Sequence, residues 1–511
     1  MPELKPWQRP RQILRQLSEP AAAKLAGFPG KLTTLQLTAG SAAFGLIIAV
    51  GAVAVAGPWD SSGQRTAERV RAASQEAGGG TDHAGRGPGG LPETAPSAPS
   101  VLAGLGAPAG VAPAPTDRAL ADVLEPLLKD PALGPQRSAV VLDAASGKRV
   151  YGKGAGEALT PASTTKIATA VAALSAAGPD HRITTKTVLE PRSAKTPDVL
   201  LVGGGDPTLT ARKDGRYTDT AASLRTLAQD TARSLKSRHI DEVKLSYDTS
   251  LYSGPEQHPI GPNENLTLVS ALMADEGRLD DSSSGPAPRA GDPAGDAAKK
   301  FAGFLKDRGI KINKDPGASK ASDRATSLGK VESPPLSALV ERMLTHSDND
   351  IAEALARQAA IAAKEPASFD GAGRAIHARL EKLDLPLSGT KFADGSGLDR
   401  ADRVPAELLA TLLDRAADPA HPDLRSVVTG LPVAGFTGTL VDRYPQDSPG
   451  TGVVRAKTGT LTGVNSLAGT VVDADGRLLV FAFMTTGTTD PLSAQKALDQ
   501  MASTVANCGC R

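Results

Sequence analysis

Cysteine is almost absent from this 511-residue chain: the two present, Cys508 and Cys510, both lie at the extreme C-terminus. That excludes a disulfide framework and a cysteine-based zinc site, and a Cys-x-Cys spacing is itself tight for a disulfide. The seven histidines form no His-Glu-x-x-His pattern and no other metal-ligand spacing, so no metal or cofactor is expected. Aromatic residues make up 3% of the chain, too few for a base-stacking platform. An excess of one charge is missing too: 57 basic and 56 acidic residues leave a net charge of +1, which produces no field that would gather polyanions. Nucleic acid is therefore not an expected partner. The 40% apolar content still suffices for a packed core. At roughly 150 residues per domain the length corresponds to about three domains' worth of chain.

Glycine and proline are plentiful instead, 53 and 39 residues, with the excess concentrated early. Residues 1–31 carry Lys5, Arg9, Arg11, Arg15, Lys24 and Lys31 against Glu3 and Glu19, and read as a basic cytoplasmic N-terminus. No charge occurs from Leu32 to Trp59. Residues 32–58 read as a transmembrane anchor, because Leu37–Gly57 approaches the roughly 20 apolar residues that a span needs. The basic flank places the N-terminus in the cytoplasm and the remainder outside the cell membrane. The rival reading is a signal peptide cleaved near Ala56, after Ala54-Val55-Ala56; either way the rest of the chain is exported. Residues 59–115, rich in Gly, Pro and Ala, cannot bury enough apolar surface to offset their ordering entropy and read as a disordered linker.

From Thr116 the pattern becomes globular. Residues 119–128 repeat apolar positions at helical spacing. Residues 138–142 and 149–151 read as a hairpin around Ala144-Ala145-Ser146-Gly147. A small-residue apolar helix starts at Ile167, strands and helices alternate between about 190 and 330, and 336–363 is strongly helical. Two strands flank Asp473-Ala474-Asp475-Gly476 before a closing helix over 493–505.

Three short segments could carry chemistry. Ser163-Thr164-Thr165-Lys166 lies at a predicted helix start, where residues three apart share a face, so Lys166 can reach the Ser163 hydroxyl. A serine becomes a useful nucleophile once a base takes its proton, and a lysine of depressed pKa can be that base. The same Ser-x-x-Lys spacing recurs at Ser327, Ser388 and Ser493, so alone it signifies little more than a surface helix. Ser347-Asp348-Asn349 is the sole Ser-x-Asn in the chain. It reads either as a proton-shuttling hydroxyl plus a positioning amide or as an ordinary helix N-cap. Lys457-Thr458-Gly459-Thr460 ends a predicted strand: Gly459 lets a ligand approach the backbone, Lys457 supplies charge, and Thr458 and Thr460 supply hydroxyls. Lys457 beside Lys166 would disfavour the charge on both and help keep Lys166 neutral.

In this order, the three segments are the set shared by penicillin-binding proteins and class A β-lactamases. Over about residues 120–505 the chain resembles the D-alanyl-D-alanine carboxypeptidase/endopeptidase family, the class C low-molecular-mass penicillin-binding proteins. The likeness extends to Leu201-Val202-Gly203-Gly204-Gly205-Asp206-Pro207-Thr208-Leu209, Asp394-Gly395-Ser396-Gly397-Leu398 and Leu431-Pro432-Val433-Ala434-Gly435. The resemblance implies an α+β transpeptidase/β-lactamase-like catalytic domain, an antiparallel sheet with flanking helices, split into 116–190 and 331–511 around one or more inserted α/β domains over 191–330. It implies a serine-type carboxypeptidase, with endopeptidase action as a further expectation, that trims peptidoglycan stem peptides ending in D-Ala-D-Ala and is acylated by β-lactam antibiotics. Ser163 would form the acyl-enzyme and Lys166 would take its proton. Ser347 would relay a proton to the leaving amine, Asn349 would position substrate and Lys166, and Lys457 would complete the network. Thr458, Gly459 and Thr460 would hold the substrate, with the backbone N–H groups of Ser163 and Thr460 as oxyanion hole. Asp248 is a candidate for recognising a cationic side chain of the peptide, or a solvated strand-end acid. The competing functions are a β-lactamase-type hydrolase and a catalytically silent wall-binding protein.

Overall fold

The structure, a computed structural model, describes residues 113–191, 196–213 and 221–510. The basic N-terminus, the apolar segment 32–58 and all but the end of the linker lie outside these residues. Among the described residues no helix is long and apolar enough to cross a membrane.

A five-stranded antiparallel sheet joins the two ends of the globular chain. Its order is Arg455–Leu461, Val464–Val472, Leu478–Thr486, Gln136–Asp143, Lys148–Lys153. Side chains alternate across a strand, and here both faces are covered. Val140 and Leu142 face one core with Ala468, Val480 and Ala482, under the helices Thr165–Ala177, Asn349–Ala362 and Ala406–Ala417. Ala139 and Val141 face another with Leu467, Phe481 and Phe483, beneath Asp117–Leu128 and Pro491–Ala506. The result is an α+β sandwich with the sheet in the middle layer.

A second sheet of six strands is built entirely from residues 184–332. Thr184–Leu189 pairs antiparallel with Thr326–Glu332, so the chain enters and leaves this insert on neighbouring strands. Asp198–Val202 runs parallel to Glu242–Asp248. The helices Leu224–Lys236 and Pro293–Lys306 pack Leu227, Leu235, Phe301 and Leu305 against Val199, Leu201, Val243 and Leu245.

The break between helices that the N-cap reading of Ser347-Asp348-Asn349 implies is present, and one local finding, the C-terminal disulfide, departs from the sequence reading. The helical stretch 336–363 is two helices, Leu336–His346 and Asn349–Ala362. Ser347 takes a left-handed conformation (φ 57°) that ends the first. Asp348 caps the second by accepting from Ile351 N at 3.0 Å. Cys508 and Cys510 are bonded to each other; their Cα atoms are 5.0 Å apart, inside the range a disulfide spans.

Candidate active site

Ser163 sits in a single helical turn, Ala162–Thr164, that leads directly into Thr165–Ala177. The residue before it, Ala162, is held at φ 51°, a conformation that a non-glycine residue adopts only when its surroundings impose it. Those surroundings are close-packed. Ser466 Oγ and Thr164 Oγ1 each donate to Pro161 O at 2.7 Å. Gly459 on the neighbouring strand has no room for a side chain, since a Cβ there would collide with Ser466 Oγ and come within 2.7 Å of Pro161 O. Gly397 (φ +82°) lies equally close to the Ala162 carbonyl. The Ser163 turn is thus wedged between the sheet edge and the Asp394–Gly397 turn.

One helical turn on, Lys166 is fully buried. Its Nζ lies 3.2 Å from Ser163 Oγ, 2.7 Å from Asn349 Oδ1 and 2.7 Å from the Ser396 carbonyl oxygen. Burial lowers its pKa to about 8, against the opposing pull of Asp394, Glu353, Asp348 and Asp402. Asn349 also donates through Nδ2 to Asn265 O at 2.9 Å, which fixes which way its amide faces. Lys457 is likewise fully buried and donates to Ser347 Oγ (2.9 Å) and to Thr458 O (2.7 Å). Its pKa is pushed well below the ordinary value, first by burial and then by the charges of Lys166 and Arg443. Burial is the largest cause at both lysines, and the repulsion between them adds to it.

Ser163, Ser347, Asn349 and Thr460 line one cavity of about 290 Å³. Thr458 is set just behind it and shares a 2.9 Å hydroxyl contact with Thr439, which does line it. Thr460 Oγ1 accepts from Gln495 Nε2 at 3.2 Å. The three motifs thus converge on one cleft. Ser347-Asp348-Asn349 serves both readings at once, because Asp348 caps the helix while its two neighbours face Lys457 and Lys166.

Asp248 is not in this group. It ends a strand of the insert, is buried, and spends its two carboxylate oxygens on Ser250 N and Ala321 N, each at 2.8 Å. These bonds fix the orientation of its carboxylate, and it is a buried strand-end acid and not a solvated one. The cationic and acidic groups at the cavity are instead Arg278, Arg289, Asp348 and Asp350. Arg289 pairs with Asp350 at 3.0 Å and Arg278 with the buried Glu276 at 2.8 Å. No motif marks Arg278, Arg289 or Thr439, which lie in the segments that connect the longer helices and strands. Two acidic groups among the described residues are compact enough for a metal, His258/Glu353/Asp394 and Glu276/Asp348/Asp350. In the first, His258 bonds Asp394 and Glu353 bonds Arg357 at 2.9 Å each. In the second, guanidinium groups already supply the counter-charge that a cation would bring.

The family model for D-Ala-D-Ala carboxypeptidase 3 (S13) matches residues 120–283 and 281–508. The chain belongs to this S13 family. A carboxypeptidase DacB from Mycolicibacterium smegmatis is 35% identical to it over 407 residues, covering 78% of this chain and 86% of that protein. A D-alanyl-D-alanine carboxypeptidase from an Actinomadura species is 29% identical over 452 residues, covering 74% and 83%. Among solved structures, penicillin binding protein 4 from Haemophilus influenzae superimposes with a TM-score of 0.61 at 22% identity, over 74% of this chain and 98% of that one. That likeness shows a shared penicillin-binding-protein fold. As an S13 member the chain carries its Ser-x-x-Lys, Ser-x-Asn and Lys-Thr-Gly segments at a single cleft.

Proposed function

We propose that this chain is a serine-type D-Ala-D-Ala carboxypeptidase that trims peptidoglycan stem peptides through an acyl-enzyme on Ser163, and that β-lactam antibiotics acylate the same serine. The observation that carries the reading is the surroundings of the Lys166 amine. Two of its three contacts, Asn349 Oδ1 and the Ser396 carbonyl, are oxygens that can only accept. A neutral amine has two N–H bonds and one lone pair. The two N–H groups go to those oxygens, and the lone pair is left facing Ser163 Oγ.

The reaction follows from that geometry. Lys166 takes the Ser163 proton as Oγ attacks the carbonyl of the terminal peptide bond. Ser347, hydrogen-bonded to Lys457, gives its proton to the departing D-Ala amine and is reprotonated through the two lysines, which hold the proton taken from Ser163. Thr458 and Thr460 receive the terminal carboxylate, and the backbone N–H groups of Ser163 and Thr460 stabilise the oxyanion. Water then releases the shortened peptide and restores the serine. A β-lactam complex of Haemophilus influenzae penicillin binding protein 4, which shares the fold, supports β-lactam binding here. Endopeptidase action on cross-linked peptides uses the same steps with a larger leaving group.

The enzyme is proposed to work outside the cell membrane, held there by residues 32–58. The support is the uncharged stretch from Leu32 to Trp59 and the six basic residues before it. The decisive experiment is intact-protein mass spectrometry after penicillin exposure, alongside assay of D-Ala release. One adduct is expected, on the peptide containing Ser163, with both adduct and release abolished in Ser163→Ala. Release that persists in Ser163→Ala would remove the assignment.

A further inference from the structure

The two oxygens that orient Lys166 are themselves held by the inserted segment. Asn349 is fixed by the carbonyl of Asn265. The Ser396 carbonyl belongs to a buried turn whose shape is set by two carboxylates. Glu353 accepts from Gly395 N at 3.1 Å and Ser396 N at 2.9 Å. Asp394 accepts from Gly397 N at 2.6 Å, Asp399 N at 2.8 Å and Ser396 Oγ at 3.1 Å.

Behind Asp394 stands His258, 1% exposed, contributed by the insert, with Nε2 at 2.9 Å from Asp394 Oδ2. Its other nitrogen, Nδ1, accepts from Ile260 N at 3.2 Å. That bond needs a lone pair on Nδ1, so the ring proton lies on Nε2 and points at Asp394. The ring packs edge-on against Phe369, centroids 5.1 Å apart. His258 lines no part of the substrate cavity.

We propose that His258 is a positioning residue for the base: its Nε2–H anchors Asp394, Asp394 shapes the 394–397 turn, and the Ser396 carbonyl of that turn aims the Lys166 lone pair at Ser163. The inference rests on Lys166 being the base. Asp394 without His258 is a buried carboxylate lacking one donor, and the turn relaxes toward other partners. Lys166 keeps Asn349, so the effect is a loss of rate and not abolition. Outer-layer partners of this kind typically contribute roughly 10- to 100-fold.

The test is acylation of the full chain by a fluorescent penicillin, with the initial binding constant and the acylation rate constant resolved. His258→Phe keeps the ring packing and removes the donor; His258→Gln places an amide N–H near the Nε2 position. The Phe variant should acylate roughly 10- to 100-fold more slowly with binding changed less than about twofold, and the Gln variant should recover most of the rate. Wild-type acylation by the Phe variant, equal losses in both variants, or a loss confined to the binding constant would each overturn the proposal. Lys166→Met is run in parallel: if it acylates normally, the base assignment fails, whereas an inert Lys166→Met beside an unimpaired His258→Phe removes only the positioning role. Should neither His258 variant fold, nitrogen-15 NMR of the wild-type histidines decides. The Nε2–H tautomer is expected at His258, and the Nδ1–H tautomer would refute the anchor.

Discussion

The pH dependence of acylation tests the chemistry most directly. Lys166 acts as a base only when neutral, and burial brings its pKa to about 8 from an ordinary 10.5. By the titration relation, an amine of pKa about 8 is roughly 1% neutral at pH 6, about 9% at pH 7 and about 50% at pH 8. An unperturbed lysine would be only about 0.03% neutral at pH 7, so burial raises the supply of base by roughly 300-fold, worth about 3 kcal/mol. The neutral form increases with pH, so the rate must rise. We expect the acylation rate constant to climb close to tenfold between pH 6 and 7, continue to about 50-fold by pH 8, and level off above pH 9. Stopped-flow fluorescence with a chromogenic or fluorescent penicillin, with circular dichroism at each pH to confirm an unchanged fold, measures it. A rate that varies less than about threefold from pH 6 to 9, or that falls as pH rises, would show that a buried amine is not the base.

Two further predictions concern the supports of the site. Gly459→Ala pushes a Cβ into Ser466 Oγ and toward the Pro161 carbonyl, so it should cost about 1–3 kcal/mol in urea denaturation and slow acylation by displacing the nucleophile turn; unchanged stability and rate would disprove the tight wedge. Arg357→Met leaves Glu353, fully buried and 2.9 Å from the lost guanidinium, without its counter-charge, a loss of about 3–5 kcal/mol near neutral pH. Burial, then Asp394, already hold the Glu353 pKa above its usual 4.5. The folded state thus binds the extra proton, and stability falls as pH rises above that value. The deficit should be smaller at pH 5 than at pH 8, and a deficit independent of pH would argue against a stranded carboxylate.

Much of this molecule is visible in short stretches of its chain. The alternation of Ala139 and Val141 with Val140 and Leu142 announces a strand covered on both faces, and the sheet uses both sets. The Ser-x-x-Lys at 163 cannot be told from those at 327, 388 and 493 by spacing, although the structure puts Ser327 and Lys330 on a strand and Ser388 in a turn. The distinction lies in what surrounds the pair: Lys166 is fully buried between Asn349 and Ser396. Asp248 shows the opposite case. A carboxylate near the end of a strand looks solvated in the sequence, yet Asp248 is buried and accepts from two backbone N–H groups.

Residue types, their order and their periodicity are properties of neighbours along the chain, and they suffice to name the family and to single out the Ser163, Ser347 and Lys457 segments that meet at the cleft. Whether an amine sits in water or among apolar side chains is a property of neighbours in space. Here those neighbours arrive from positions 265, 349 and 396, and through His258, hundreds of bonds away from Lys166. The insert's part in aiming the base, the burial that lowers its pKa and the burial of Asp248 all depend on long-range packing, which leaves no trace in any single stretch of sequence.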